Sequence, residues 1–207
     1  MGPRGDGYSV KDKMSADDAE KYHWTQIDTL RKTDADMVTA FTMNYTEEAI
    51  GLTRAAASAG LPVAIGFTVE IDGRLPSGEA LGEAIEAVDQ KTSHGPAYYM
   101  INCAHPSHFK TPLSTNANWL KRVRAIRANA SDKSHAELDE ATELDAGDPL
   151  DLGRQYAELK CSLPQLNVFG GCCGTDHQHV GEIYRAIAPH HPTINWDACE
   201  SHGNTLH

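Results

Sequence analysis

Long apolar runs are missing from this chain. Nothing in its 207 residues approaches the length of a membrane span, and the opening Met1-Gly2-Pro3-Arg4-Gly5-Asp6-Gly7 lacks the apolar core of a signal peptide. A soluble, cytoplasmic protein is expected, with no membrane partner. Basic residues are also in short supply: eighteen Lys and Arg face twenty-nine Asp and Glu, for a formal net charge of -11. That balance opposes binding to nucleic-acid phosphates and points to a small-molecule substrate. There is no Cys-X-X-Cys spacing, and the five cysteines are an odd number with two of them adjacent. That pattern fits thiol or metal chemistry in a reducing compartment better than a secreted disulfide framework. At 40% hydrophobic and 23% charged, the chain can bury one core, so residues 1–207 are expected to form one domain.

Apolar runs alternate with helical patterns along the chain, the mark of βα units and a parallel sheet. Helices are expected over residues 16–32, 46–59, 79–91, 117–126, 155–163 and 177–188, the first capped by Ser15 with Asp17 and Asp18 in its first turn. Strands are expected over residues 36–42, 62–69, 97–102 and 166–169, with a weak one within 123–129 whose boundary overlaps the preceding helix. Residues 131–149 read as an extended surface loop, and the acidic run within them as a solvated one. This makes five βα units. Such units build either an open doubly wound sheet or part of a (β/α)8 TIM-type barrel, and both place their sites at the C-terminal ends of strands.

Two segments put sulfur at that edge. Asn167-Val168-Phe169-Gly170-Gly171-Cys172-Cys173-Gly174-Thr175 carries two adjacent cysteines in a glycine cradle, and Cys103 follows the apolar run ending Met100-Ile101-Asn102. Three thiolates with a fourth position open describe a catalytic zinc site better than a structural one. The glycines permit the tight turn that adjacent ligands demand. A barrel brings the ends of non-adjacent strands around one axis, which favours it over the open sheet. Other readings of the pair are a small buried couple or a vicinal disulfide, and a phosphate cradle, which lacks any Lys or Arg within the motif. Asn102, beside the first sulfur, is an amide that can bond a substrate or orient the sulfur, or it is a strand-end turn residue. The lone Cys161 and Cys199 read as ordinary buried or surface residues. His105, His108, His177 and His179 lie near the motifs, but in a chain with eleven histidines proximity by chance is expected.

The string Gly170-Gly171-Cys172-Cys173-Gly174-Thr175 together with Asn102-Cys103 resembles the zinc-dependent homocysteine S-methyltransferases, and the likeness runs over nearly the whole chain. Gly2-Pro3-Arg4-Gly5-Asp6-Gly7-Tyr8 looks like the loop after the family's third strand, and Ile65-Gly66-Phe67-Thr68-Val69 resembles its fifth. The resemblance implies an α/β fold of the (β/α)8 TIM-barrel type, N-terminally truncated to about five βα units. It implies that Cys103, Cys172 and Cys173 hold Zn2+ while the sulfur of homocysteine, or of a related small thiol, takes the open position. It also implies a methyl donor with a sulfonium or quaternary ammonium centre, and methionine as product. Where many members carry an acidic residue on the fourth strand, Ala40-Phe41-Thr42-Met43 has none. The other reading is a non-catalytic zinc-binding fragment of such an enzyme.

Overall fold

Five parallel strands alternate with helices in the computed structural model, which describes residues 1–188. In chain order these are α1 (Ala16–Leu30), β1 (Val38–Met43), α2 (Thr46–Ser58), β2 (Val63–Phe67), α3 (Leu81–Thr92), β3 (Tyr98–Asn102) and α4 (Pro106–Leu113). A 3-10 turn (Asn118–Arg122) then leads into β4 (Val123–Ala128), followed by α5 (His135–Asp139), α6 (Pro149–Ser162), β5 (Val168–Gly171) and α7 (His177–Ile187). Local chemistry sets several of these bounds. Ser15 caps α1 by accepting from the Asp18 N–H at 3.2 Å, and Asp148 caps α6 ahead of Pro149, whose missing N–H costs nothing in a first turn.

The strands run in the order β1-β2-β3-β4-β5, each parallel to its neighbour. A doubly wound sheet reverses its strand order at a switch point; this one does not, and consecutive winding is that of a barrel. The sheet also curls. The Arg127 guanidinium of β4 lies 4.9 Å from the centre of the Phe41 ring of β1, although β1 and β4 stand three places apart, about 14 Å in a flat sheet. The chain therefore has an α/β fold of (β/α)8-barrel type.

The helices pack on the outer face and bury Leu52, Ile65, Phe67, Ile85, Val88, Ile101, Val123, Ile126 and Tyr156 with the sheet. All five residues of β2 are buried, as a central parallel strand requires. Asp89 of α3 ties this layer together, accepting from Tyr99 Oη at 2.8 Å and from Arg122 Nε and Nη2 at 2.8 and 3.0 Å.

Three expectations change. The helix expected over 117–126 is the short 3-10 turn followed at once by β4, so the apolar Val123 and Ile126 belong to the strand. A helix absent from the sequence reading, α4, follows Cys103: Pro106, Phe109 and Leu113 recur at helical spacing and bury one face, which the polar residues between them disguise. The stretch 131–149 is not simply surface loop. It holds α5, begun by a capping box between Ser134 and Glu137, and it buries Ser131 and His135. Of the two cysteines outside these motifs, Cys161 lies on α6 and Cys199 is outside the described residues.

Candidate metal centre

β3 and β5 flank β4 and end at the same rim of the curled sheet. Cys103 directly follows β3 and Cys172 directly follows β5, and their Cα atoms are 5.5 Å apart, where a flat sheet would hold strands two places apart at about 9.6 Å. The Sγ atoms of Cys103, Cys172 and Cys173 all lie within 4.8 Å of one another, and among the described residues no other group of His, Cys, Asp or Glu meets that test. The curl therefore joins residues that the strand order separates. The sulfurs of Cys103 and Cys172 are in direct contact as a linked pair, while Cys173 is a free thiol. Those two sulfurs bind a metal only after reduction, because a disulfide offers no thiolate.

Each sulfur-bearing residue is anchored through its backbone. Cys103 adopts the left-handed conformation, φ 53°, rare for a residue with a side chain. Its N–H donates to Arg127 O at 3.0 Å, and its carbonyl accepts from Thr68 Oγ1 at 3.2 Å and bonds His135 Nε2 at 2.6 Å. Cys172 donates its N–H to Ala128 O at 2.8 Å, and its carbonyl accepts from Thr175 Oγ1 at 2.7 Å. Cys173 donates to Asn129 Oδ1 at 3.2 Å. The chain then turns at Gly174, φ 77°, where an added Cβ would stand 2.7 Å from Asp145 O. Only glycine meets both conditions.

Asn102 lies beside the first sulfur and is buried. Its Oδ1 accepts from the Thr42 N–H and its Nδ2 donates to Thr42 Oγ1, both at 2.9 Å. To reach from β3 to β1 it crosses Gly66 of β2, where a Cβ would lie 2.5 Å from the amide oxygen. The Thr42 hydroxyl in turn points at Cys103 Sγ from 3.7 Å. Thr42 holds φ 59°. The amide thus places Thr42, and through it acts on Cys103, with one N–H and one oxygen lone pair left over.

The histidines nearest in sequence do not join the sulfurs. His105 and His108 bond Ser107 and the Asp132 carbonyl, and burial, then the neighbouring His108, lowers the His105 pKa. His177 is exposed, and His179 closes a capping box with Asp176. Arg127 donates to Gly171 O of the glycine cradle from Nε and Nη2 at 3.1 and 2.9 Å.

Three residues passed over in the sequence reading stand at the site instead: Tyr8, Glu70 and His135. A cavity of about 410 Å3 opens beside Cys173, lined by Tyr8, His135, Leu138, Asp139, Leu144 and Asp145 among others. Burial, followed by the charge and hydrogen bond of Cys173, raises the Tyr8 pKa, so it stays a phenol. Asp145 is held below the usual carboxylate range by the Gly147 N–H, Lys133 and Ser131, and is ionised at neutral pH. Tyr8 belongs to the glycine-rich segment already singled out for its motif. His135 carries no sequence signal, since one histidine in a polar stretch looks like any other.

The family model described as homocysteine S-methyltransferase matches residues 1–187. A methionine synthase from Mycobacterium leprae (strain TN) is 30% identical over 150 residues, which are 67% of this chain and 11% of that protein. Among solved structures, the homocysteine methyltransferase MmuM from Escherichia coli in its oxidized form superposes with a TM-score of 0.66 at 14% identity, over 86% of this chain and 54% of that one. The metallated form gives 0.62 at 14% identity, over 87% and 55%. The chain thus spans about half the length of these structures.

Proposed function

Since the chain belongs to the homocysteine S-methyltransferase family, we propose that it acts, as one domain, in zinc-dependent transfer of a methyl group to the thiol of homocysteine, forming methionine. The observation that carries this reading is the convergence of Cys103, Cys172 and Cys173 within 4.8 Å of one another. Zinc fits that set. Tetrahedral coordination with bonds of about 2.3 Å separates sulfurs by about 3.8 Å, and three thiolates leave the fourth position to a substrate. The reading needs a reducing compartment, in keeping with a cytoplasmic setting, because the linked Cys103 and Cys172 must be thiolates first.

When bound, zinc holds the incoming thiol deprotonated at neutral pH and ready to attack carbon. The remaining work is the chain's. Thr42 donates to Cys103 Sγ and Asn129 anchors the Cys173 backbone, so the sulfurs approach a common point with little freedom. The cavity beside Cys173 has apolar walls in Leu138 and Leu144 and carboxylates in Asp139, Glu143 and Asp145. These suit a small donor whose methyl sits on a positive sulfonium or quaternary ammonium centre. In the transfer a sulfur–carbon bond forms to homocysteine as the donor's bond to the methyl breaks, and the donor leaves neutral. The thiol proton would pass to solvent as homocysteine binds, so no side chain needs to move a proton and alignment of the two substrates is the main contribution.

The test is the metal content of reduced protein, parent against Cys103→Ser, Cys172→Ser and Cys173→Ser, together with methionine formation from homocysteine and each donor class. One zinc per parent chain, lost in the variants, with methionine formed, is the expected result. Zinc without turnover supports the non-catalytic zinc-binding fragment instead. No zinc in freshly reduced protein refutes the metal centre.

A further inference from the structure

Of the three sulfur-bearing residues only Cys103 has a positive φ, 53°, a conformation that persists only where its surroundings impose it. The peptide before Cys103 is fixed by its N–H bond to Arg127 O on β4 at 3.0 Å. The peptide after it is fixed through its carbonyl, by Thr68 Oγ1 at 3.2 Å and by His135 Nε2 at 2.6 Å. Together these bonds set the direction in which the side chain leaves the backbone. A carbonyl only accepts, so Nε2 carries the hydrogen in the shorter of the two contacts. His135 is itself buried and held on two further sides. Glu70 Oε1 lies 3.1 Å from Nδ1, and the Tyr8 ring stacks on the imidazole with centroids 4.0 Å apart and planes at 28°.

We propose, resting on the metal-centre reading above, that His135 is a positioning residue for the metal centre. Pinned by Glu70 and the Tyr8 ring, it holds the Cys103 carbonyl and so keeps the innermost sulfur turned toward Cys172 and Cys173. The bond to Arg127 O belongs to the sheet edge and fixes one peptide only. Without the second hold, the peptide after Cys103 is free to rotate, the left-handed conformation relaxes, and the sulfur leaves the common point. Removing partners that orient metal ligands commonly costs about 10–100-fold in affinity. His135 also lines the cavity beside Cys173. One side chain at the start of α5 therefore sets both a wall of that cavity and the backbone of the buried sulfur.

Zinc affinity of the reduced full chain, measured by competition with a chromophoric chelator, tests this with His135→Asn, His135→Gln and Glu70→Ala. The amide nitrogen of glutamine can take the place of imidazole Nε2 and bond the Cys103 carbonyl, whereas that of asparagine takes the place of Nδ1 and faces Glu70. His135→Asn should therefore bind zinc about tenfold more weakly than the parent, with His135→Gln within about threefold of it. Glu70→Ala unpins the ring without removing it. It should lose affinity to a lesser degree, and it carries the test if His135→Asn does not fold. Parent-like affinity in His135→Asn, or in Glu70→Ala where His135→Asn does not fold, would overturn the proposal while leaving the metal centre intact. So would equal losses in His135→Asn and His135→Gln, which would assign the effect to packing beneath the Tyr8 ring. A parent chain that binds no zinc refutes the metal centre and this inference with it.

Discussion

Replacing Asn102 with alanine separates a substrate contact from a structural brace. The Asn102 side chain is buried, and its amide makes two hydrogen bonds of 2.9 Å, both to Thr42. Each such bond is worth about 1 kcal/mol net, and leaving the Thr42 N–H unpaired in a part-buried place costs about 1–3 kcal/mol more. Against this, Thr42 is a β-branched residue held at φ 59°, a conformation costing about 1–3 kcal/mol that persists only when its surroundings impose it. Relaxation returns part of that strain, so the net loss for Asn102→Ala should be about 3 kcal/mol. With a urea slope of about 2 kcal/mol per molar, the unfolding midpoint should fall by about 1.5 M. The same substitution in a Thr42→Ala background should cost about 1 kcal/mol less, because the bond to the hydroxyl is already gone while the strained φ is still there to relax. A midpoint shift under about 0.3 M, or equal costs in the two backgrounds, would refute the reasoning and return Asn102 to the role of a substrate ligand.

Gly66→Ala should act on the same brace, since its methyl would stand 2.5 Å from Asn102 Oδ1 and 3.0 Å from Ala40 O; a loss of about 1–3 kcal/mol is expected, and thermal unfolding measures it. Asp89 gives a pH signature. Burial pushes its carboxyl up, but hydrogen bonds from Arg122, Tyr99 and His94 outweigh that and leave the pKa below the usual value. A depressed carboxylate stabilises the fold above the unfolded pKa of about 3.9 and loses that contribution as pH falls through its folded value. Asp89→Asn should therefore be about 2–3 kcal/mol less stable than the parent at neutral pH. Below about pH 4 that gap should narrow, and a gap independent of pH would contradict the assignment. Finally, mild oxidation should displace zinc and link Cys103 to Cys172, while Cys173 remains open to alkylation. Peptide mapping of oxidised protein would expose an error if the link involved Cys173.

The strands were legible because buried parallel strands are nearly continuous apolar runs, as in Val63–Phe67, and the adjacent cysteines because two thiols in a glycine cradle have few uses. The meeting of Cys103 with the pair was anticipated from their placement after two strands, but it depends on sheet curl, which no local pattern encodes. α4 escaped because Pro106, Phe109 and Leu113 are its spaced apolar contacts in an otherwise polar segment. The roles of Tyr8 and His135 were hidden for a different reason. Each is defined by a partner far along the chain, His135 for Tyr8 and Glu70 for His135. For Asn102 the sequence allowed a substrate contact, a sulfur-orienting amide or a turn residue; in the structure its amide holds Thr42, which no local pattern announces because the two lie sixty residues apart.

The sulfurs also form a graded series, Cys103 buried, Cys172 intermediate and Cys173 exposed. On the proposed metal-centre reading, an ion arriving from solvent would meet Cys173 first and Cys103 last, and a departing ion would shed them in reverse. Exchange is then a sequence of partner changes starting at the rim, so a chelator would accelerate release by capturing an ion already loosened from the inner sulfur. Rate and affinity become separable under this order: substitutions at Cys173 would govern how fast the centre fills, and those at Cys103 how long it stays filled.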